Sequence, residues 1–312
     1  MPVLNFPTTG LYVGMQYSFG QNAWYWDGQG WSLAANLNGF VALPYVYGKN
    51  AMPYPNVGAM SSVTYTAMSI MLTTSVNNLN LFTLIGSPGT AVALTVTIPA
   101  GVIIGSGTSG TGAANAALQV GAGWAAGSTI SIICNGVITG TSGAGGLVQT
   151  TALTAGNPGV VGSDGLYINS ASGLTSVTLS GTGTVGGGGG GGGSGAGGTT
   201  TTTNEGGPGG AGSNTAANGT TGTNGNSALT GGAGGAGGIL PATAPVAGGN
   251  AAAPNGGGGG GGGYWGGAGA NGGSSASGAH IGGLGAAAGY AVRENGFGGF
   301  TSTITTTHGT VG

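Results

Sequence analysis

Hydrophobic and polar positions follow three successive rhythms along this chain. The first is aromatic. In residues 11–33, LYVGMQYSFGQNAWYWDGQGWSL, large residues alternate with small and polar ones in short runs broken by glycine. Such runs predict the short strands of a small β-meander, with Asp27-Gly28 as a tight-hairpin signal. This sets residues 1–75 apart as an N-terminal module. Its tryptophans are the large apolar side chains from which so small a unit builds a core.

The second rhythm is strict alternation, over residues 76–185. AVALTVTIPAGVIIG (residues 91–105) and GSTISIICNGVITG (residues 127–140) place β-branched residues at every other position, which predicts half-buried strands. An internal repeat runs through them. Residues 128–140 align with 175–187 and match Ile130 to Val177, Ile132 to Leu179, Gly136 to Gly183 and Ile138 to Val185. Ala117-Leu118-Gln119-Val120 echoes Gly165-Leu166-Tyr167-Ile168 with one residue of slippage. The last four residues, Gly309-Thr310-Val311-Gly312, share the cadence of Gly183-Thr184-Val185-Gly186. A period of about 47 residues implies like units stacked on one another, in a β-solenoid-like or sandwich stem.

The third rhythm, over residues 186–312, has a period of three. Two octaglycine runs, Gly186–Gly193 and Gly256–Gly263, accompany GGPGGAG (206–212), GTTGTNG (219–225) and GGAGGAGG (231–238). A flexible linker has no reason to keep that period, whereas a threefold extended helix does. At a rise of about 3.1 Å per residue, eight glycines span about 25 Å. The expected form is a sandwich of antiparallel polyglycine II helices, with glycine wherever two backbones meet and a closing β-strand. Collagen fits poorly, because the phase is lost after each short tract and the 12 prolines are not concentrated there. Ordering glycine costs about 1–2 kcal/mol per residue, and each hydrogen bond returns about 1 kcal/mol net. The array therefore needs many neighbours and nucleation by adjoining strands. The expected fold class is all-β plus polyglycine II, with essentially no α-helix.

Charge narrows the function. Of 312 residues only Asp27, Lys49, Asp164, Glu205, Arg293 and Glu294 are charged, and the net charge is −2. No basic face is available for phosphates, so nucleic acid is not an expected partner. The single Cys134 excludes an internal disulfide and sits in an apolar strand as a buried residue. No apolar run reaches the ~18 residues of a membrane span, and MPVLNFPTTG reads as no secretion signal. Neither His280 nor His308 has a Cys or acidic neighbour at metal-ligand spacing. No enzyme, cofactor or metal site is expected.

Recognition remains. Tyr264, Trp265, His280, Tyr290 and Phe297 interrupt the glycine period and are the candidate receptor contacts. Tyr264-Trp265 serves equally well as a cap over the end of a glycine layer. Arg293-Glu294 reads as a surface ion pair. Tyr17, Trp24, Trp26 and Trp31 are the candidate attachment residues of the N-terminal module.

TVTIPAGVIIGSGTSGTGAANAALQVGAGWAAGSTISIICNGVITG (residues 95–140), with the glycine runs that follow, resembles a segment of bacteriophage tail-fibre proteins. The N-terminal aromatic stretch is similar to a small module of phage tail proteins. The resemblance implies a virion protein that attaches to a host surface, mounted on other virion proteins through residues 1–75. Its partner would be a host glycan or outer-membrane protein, and its assembly state a homotrimer or a fibre tip. The other classes are a purely structural head fibre or decoration protein, and an ice-binding protein with regular Thr rows.

Overall fold

The computed structural model describes residues 16–19, 22–26, 31–36, 66–150, 154–169, 173–198, 207, 209–210, 212, 219–225, 244–250, 256–275 and 280–312. The aromatic stretch forms an antiparallel sheet of β1 (Gln16–Phe19), β2 (Asn22–Trp26) and β3 (Trp31–Asn36), in the order β1-β2-β3. Tyr17 lies opposite Trp24, and Trp26 opposite Trp31.

From residue 66 the chain winds as a three-sided parallel β-solenoid. The first coil supplies β4 (Thr66–Met71), β5 (Val76–Asn77) and β6 (Leu79–Asn80), followed by the one short α-helix among the described residues, α1 (Leu81–Leu84). The second coil supplies β7 (Val92–Ile98), β8 (Ile103–Gly105) and β9 (Leu118–Gln119). The third supplies β10 (Ser128–Cys134), β11 (Val137–Thr139) and β12 (Leu166–Tyr167), and the fourth β13 (Leu174–Ser180), β14 (Thr184–Gly186) and β15 (Val292–Arg293). β16 (Phe300–Ser302) and β17 (Thr306–His308) begin a fifth. Each side of the solenoid is one sheet, ordered β16-β13-β10-β7-β4, β17-β14-β11-β8-β5 and β15-β12-β9-β6.

Alternation decides which side chains enter. Along β7 and β10 every second residue is buried, and like residues stack from coil to coil. Ile130 pairs with Leu94 below and Val177 above; Ile132 pairs with Val96 and Leu179. Ile104, Ile138 and Val185 form the ladder of the second side, and Leu79, Leu118, Leu166 and Val292 that of the third. Cys134 is buried in this core, which pushes its thiol up to about 11 and leaves it unreactive.

The repeat read from the sequence is the coil. Its extension to the last four residues is corrected: Thr306–His308 stack on Thr184–Gly186. The corner between the first and second sides is short in every coil, so the chain reaches the second side four residues earlier than the Gly-Thr-Val-Gly cadence suggests. Val311 instead bridges Val292 on the third side.

Between the second and third sides the coils carry insertions. The second coil departs over residues 106–117, the third over 140–165 and the fourth over 187–291. The last two build one glycine layer. Its central segment follows directly from β14, and six others surround it. Gly188, Gly191 and Ser194 donate their N–H groups to Ser163, Val160 and Asn157. Gly190, Gly193 and Ala196 donate to Gly267, Ala270 and Gly273, and Gly192 and Gly195 to Gly210 and Gly207. In return, Gly140, Gly143 and Gly146 donate to the carbonyls of Gly186, Gly189 and Gly192. Gly289, Ala286 and Gly283 donate to Gly188, Gly191 and Ser194; Gly263, Gly260 and Gly257 donate to Gly190, Gly193 and Ala196.

Every neighbour is thus met once per three residues. The bonding order also corrects the expectation of antiparallel neighbours throughout. Segments 140–146 and 267–273 run parallel to the centre, and the other four antiparallel, because an even number of crossings separates the parallel ones from it. Glycine is required here by space: a Cβ on Gly191 would strike the Ala144 carbonyl, and one on Gly193 the Gly283 carbonyl.

Candidate functional site

The hydrogen-bond register gives the layer a near end, against the solenoid, and a far end. Gly187 donates to His308 on β17, so it lies near; ten residues later Gly197 donates to Thr154, at the far end.

Tyr264 and Trp265 are at the near end. The Gly267 N–H donates to the Tyr264 carbonyl at 2.7 Å, and Gly266 has φ +73°, so residues 264–267 form a turn that needs glycine at its third position. Trp265 is 5% exposed and stacks on the His308 ring at 4.5 Å, tilted by 31°. Its Nε1 has no hydrogen-bond partner. Tyr264 is half-buried and its ring lies over Gly267. The indole therefore packs between the glycine layer and the solenoid.

Tyr290 and Arg293 also lie where the layer rejoins the solenoid. Asp164, fully buried, accepts from Arg293 Nε at 2.6 Å, from Arg293 Nη2 at 3.0 Å and from the Tyr290 N–H at 2.8 Å. The guanidinium lies 4.0 Å from the centre of the Tyr290 ring. The hydrogen bonds that Arg293 donates to Asp164 hold the Arg293 pKa above its ordinary value. The reading of Arg293-Glu294 as a surface ion pair is corrected: on the face of β15 opposite the buried Val292, the Arg293 guanidinium pairs with the buried Asp164. Phe297 is 9% exposed and belongs to the solenoid core.

His280 alone of the five candidate contacts lies at the far end. Ser275 donates to the His280 carbonyl at 2.9 Å, and the His280 N–H donates to Ser275 Oγ at 3.4 Å. This pins the two ends of the 276–279 connection together. The other described residues of the far end are ones the sequence reading passed over. Leu147 is 77% exposed, Ile281 is 62% exposed, and Val148 is also exposed. Asn157 Nδ2 donates to the Leu147 carbonyl, Gln149 Nε2 to the Ala155 carbonyl, and Ser194 Oγ accepts the Asn157 N–H. Large aliphatic residues at the margins of glycine tracts were the available signal.

The side chains of Tyr17, Trp24, Trp26 and Trp31 lie outside the described residues; their backbones form the β1-β2-β3 sheet. The far end offers exposed aliphatic groups and neutral amides on a backbone fixed by hydrogen bonds. Among the described residues it carries no charge, and no cluster of His, Cys, Asp or Glu there or elsewhere is suited to a metal ion. Such a surface binds by shape, apolar contact and neutral hydrogen bonds.

A solved structure, the gp37-gp38 adhesin tip complex of the bacteriophage S16 long tail fibre, is similar at 24% identity, covering 78% of this chain and 82% of that chain, with a TM-score of 0.42. No curated protein matches the sequence. The family of phage tail fibre adhesins described as Gp38 matches residues 67–312. That family is one of adhesins rather than enzymes, and its members are virion tail components that act at the host surface. Solenoid and glycine layer together make up the matched region, and the chain belongs to the phage tail fibre adhesin Gp38 family.

Proposed function

We infer that the far end of the glycine layer is the host-contacting surface, carried at a fixed distance from the virion by the solenoid. The supporting observation is the placement of exposed Leu147, Val148 and Ile281, with half-buried His280 beside them, at the end of a layer whose backbone is bonded to six neighbours. Adhesion needs variable side chains on a scaffold that does not yield, and this layer admits only small side chains inside and carries its large aliphatic ones exposed. The target is a component of the host envelope, a glycan or an outer-membrane protein. Tyr264 and Trp265 serve as the joint between layer and stem.

In the same reading the layer is polyglycine II, supported by its three-residue hydrogen-bond period. The mount on another tail-fibre protein lies within the N-terminal module expected over residues 1–75, ahead of the first solenoid strand at Thr66, in keeping with the gp37-gp38 complex of phage S16. The stem expected over 76–185 therefore starts at Thr66, and 186–312 bring most of the glycine layer and the closing strands.

The test is binding of purified protein to host envelopes. Leu147→Asp and Ile281→Asp are expected to abolish binding without lowering the melting temperature, whereas Tyr264→Ala is expected to leave binding intact. Unchanged binding by both aspartate variants overturns the far-end assignment. Prior protease or periodate treatment of the envelopes separates the protein target from the glycan. Rapid amide exchange across Gly186–Gly197 would defeat the polyglycine II assignment.

A further inference from the structure

The two ends of the solenoid are finished differently. At the upper end the chain covers its own core. Phe297 is buried, Phe300 and Ile304 pack on the ladder, the Gly312 N–H donates to the Val292 carbonyl, and the Glu294 N–H donates to the Gly312 carbonyl. At the lower end Leu72, Phe82 and Ile85 also pack against the core, but the inner positions of the first coil's own strands stay partly open. Met68, Ile70 and Leu79 point inward below Leu94, Val96 and Leu118, yet they stay half-exposed while those three are buried. Met71 is 64% exposed and Leu84 also faces solvent.

The backbone is open as well. Thr66 and Leu72 donate to Ala91 and Thr97 of the second coil, so the intervening groups of Ala67, Ser69 and Met71 face the free side of β4, where its sheet ends. On the other two sides of the same coil a groove of about 290 Å³ runs along Val76, Asn77, Leu79, Asn80 and Leu84. A solenoid core left open in this way exposes both apolar surface and strand edge, which repeat proteins normally cover with a capping unit.

We propose that this open first coil is the seat of the chain's own residues 37–65. Three observations favour that occupant over a second protein. The stretch ends at Tyr65, covalently joined to the edge strand itself, so it is held at high effective concentration. It holds about as many residues as the first coil, which runs from Thr66 to the start of β7 at Val92. It is apolar and uncharged apart from Lys49, with Phe40, Val41, Leu43, Tyr45, Val46 and Tyr47 close together. The lining of the groove likewise bears no charge, only aliphatic, asparagine and threonine side chains. The upper end shows that this chain already covers one end of its core with its own residues. Seating 37–65 below leaves the β1-β2-β3 sheet as the part free to meet a mount.

The test is amide exchange on the full-length protein, diluted to a monomer. The free-side amides of Ala67, Ser69 and Met71 are expected to be as protected as those of β7. The double variant Val41→Asp, Tyr45→Asp is expected to lose that protection while β10 keeps its own. Fast exchange of the three amides in the unsubstituted monomer overturns the proposal. So does protection that appears only as concentration rises, which indicates a second copy, or only on adding a tail-fibre protein, which indicates the mount. None of these readouts depends on host binding.

Discussion

The solenoid and the glycine layer are held together by opposite means. In the solenoid, side chains meet inside: Ile132 sits between Val96 and Leu179, and apolar burial supplies the stabilisation. In the layer, backbones meet inside and only small side chains such as Ser194 and Ala196 enter the interior. Each residue of the central segment trades its N–H and carbonyl among neighbours in three directions, and the close approach maximises dispersion between backbone atoms. Removing a side chain therefore damages one region, and adding one damages the other. The solenoid also answers the layer's entropic cost, because β14 delivers the first glycine of the central segment in register with β17.

The sharpest test of that contrast is Gly191→Val. Its Cβ would meet the Ala144 carbonyl, and Ala144 belongs to a segment bonded on both sides, so no neighbour has room to retreat. The expected loss exceeds about 4 kcal/mol, in the exceptional class for a single substitution. It should appear as disappearance of the layer's protected amides. Gly298→Ala, where no atom lies within 4 Å, should leave chemical unfolding essentially unchanged. Equal effects of the two would remove the claim that packing requires glycine in the layer.

The converse substitution is Ile132→Ala. The side chain is fully buried, so its removal leaves a cavity and costs about 2–5 kcal/mol, measured by denaturant unfolding. The loss should spread to both regions, since β14 and β15 anchor the layer. If the glycine amides stayed protected while the solenoid melted, the two regions would be independent units, contrary to the continuous bonding across Gly187 and His308.

What the sequence disclosed follows the same division. Strands were legible because β-branched residues recur at every second position, and the coil because Ile130 and Val177, or Ile138 and Val185, recur at one spacing. The glycine layer was legible by its period of three. Its placement was not, because composition cannot tell that residues 140–165 and 187–291 leave the solenoid at the same corner of successive coils. For that reason Tyr264-Trp265 could not be assigned to the near end, nor Leu147 and Ile281 to the far one. The four-residue error at the last strand has a related cause: Gly-Thr-Val-Gly is a compositional echo, and the short corner before Thr306 decides the register. The pairing of Asp164 with Arg293, across 129 residues, leaves no local trace.

That pair marks the boundary between the regions, and Asp164→Asn probes it. Asp164 precedes β12 and Arg293 lies on β15, so one carboxylate ties the return points of both glycine insertions together. Breaking a buried pair costs about 3–5 kcal/mol. Arg293 keeps 21% of its side chain exposed and regains some water, so about 2–3 kcal/mol is the expected loss in thermal unfolding. An unchanged melting temperature would show that backbone bonds alone hold the joint.

The smallest effect concerns the other side of the joint, where His308 lies under Trp265. Burial lowers the His308 pKa from its usual 6.5, because a charged ring there would lose water. A base with a depressed folded pKa stabilises the fold fully above its unfolded value. Below about pH 6.5 the unfolded chain takes up the proton first, so stability falls as pH drops towards the folded pKa. The ring is only partly buried, so the slope should be shallow, visible as a modest decline in melting temperature between neutral and mildly acid pH. His308→Gln should remove that slope while leaving the far end and its binding unchanged. A decline of equal size in the variant would move the pH sensitivity away from this joint and leave the indole stack a purely apolar contact.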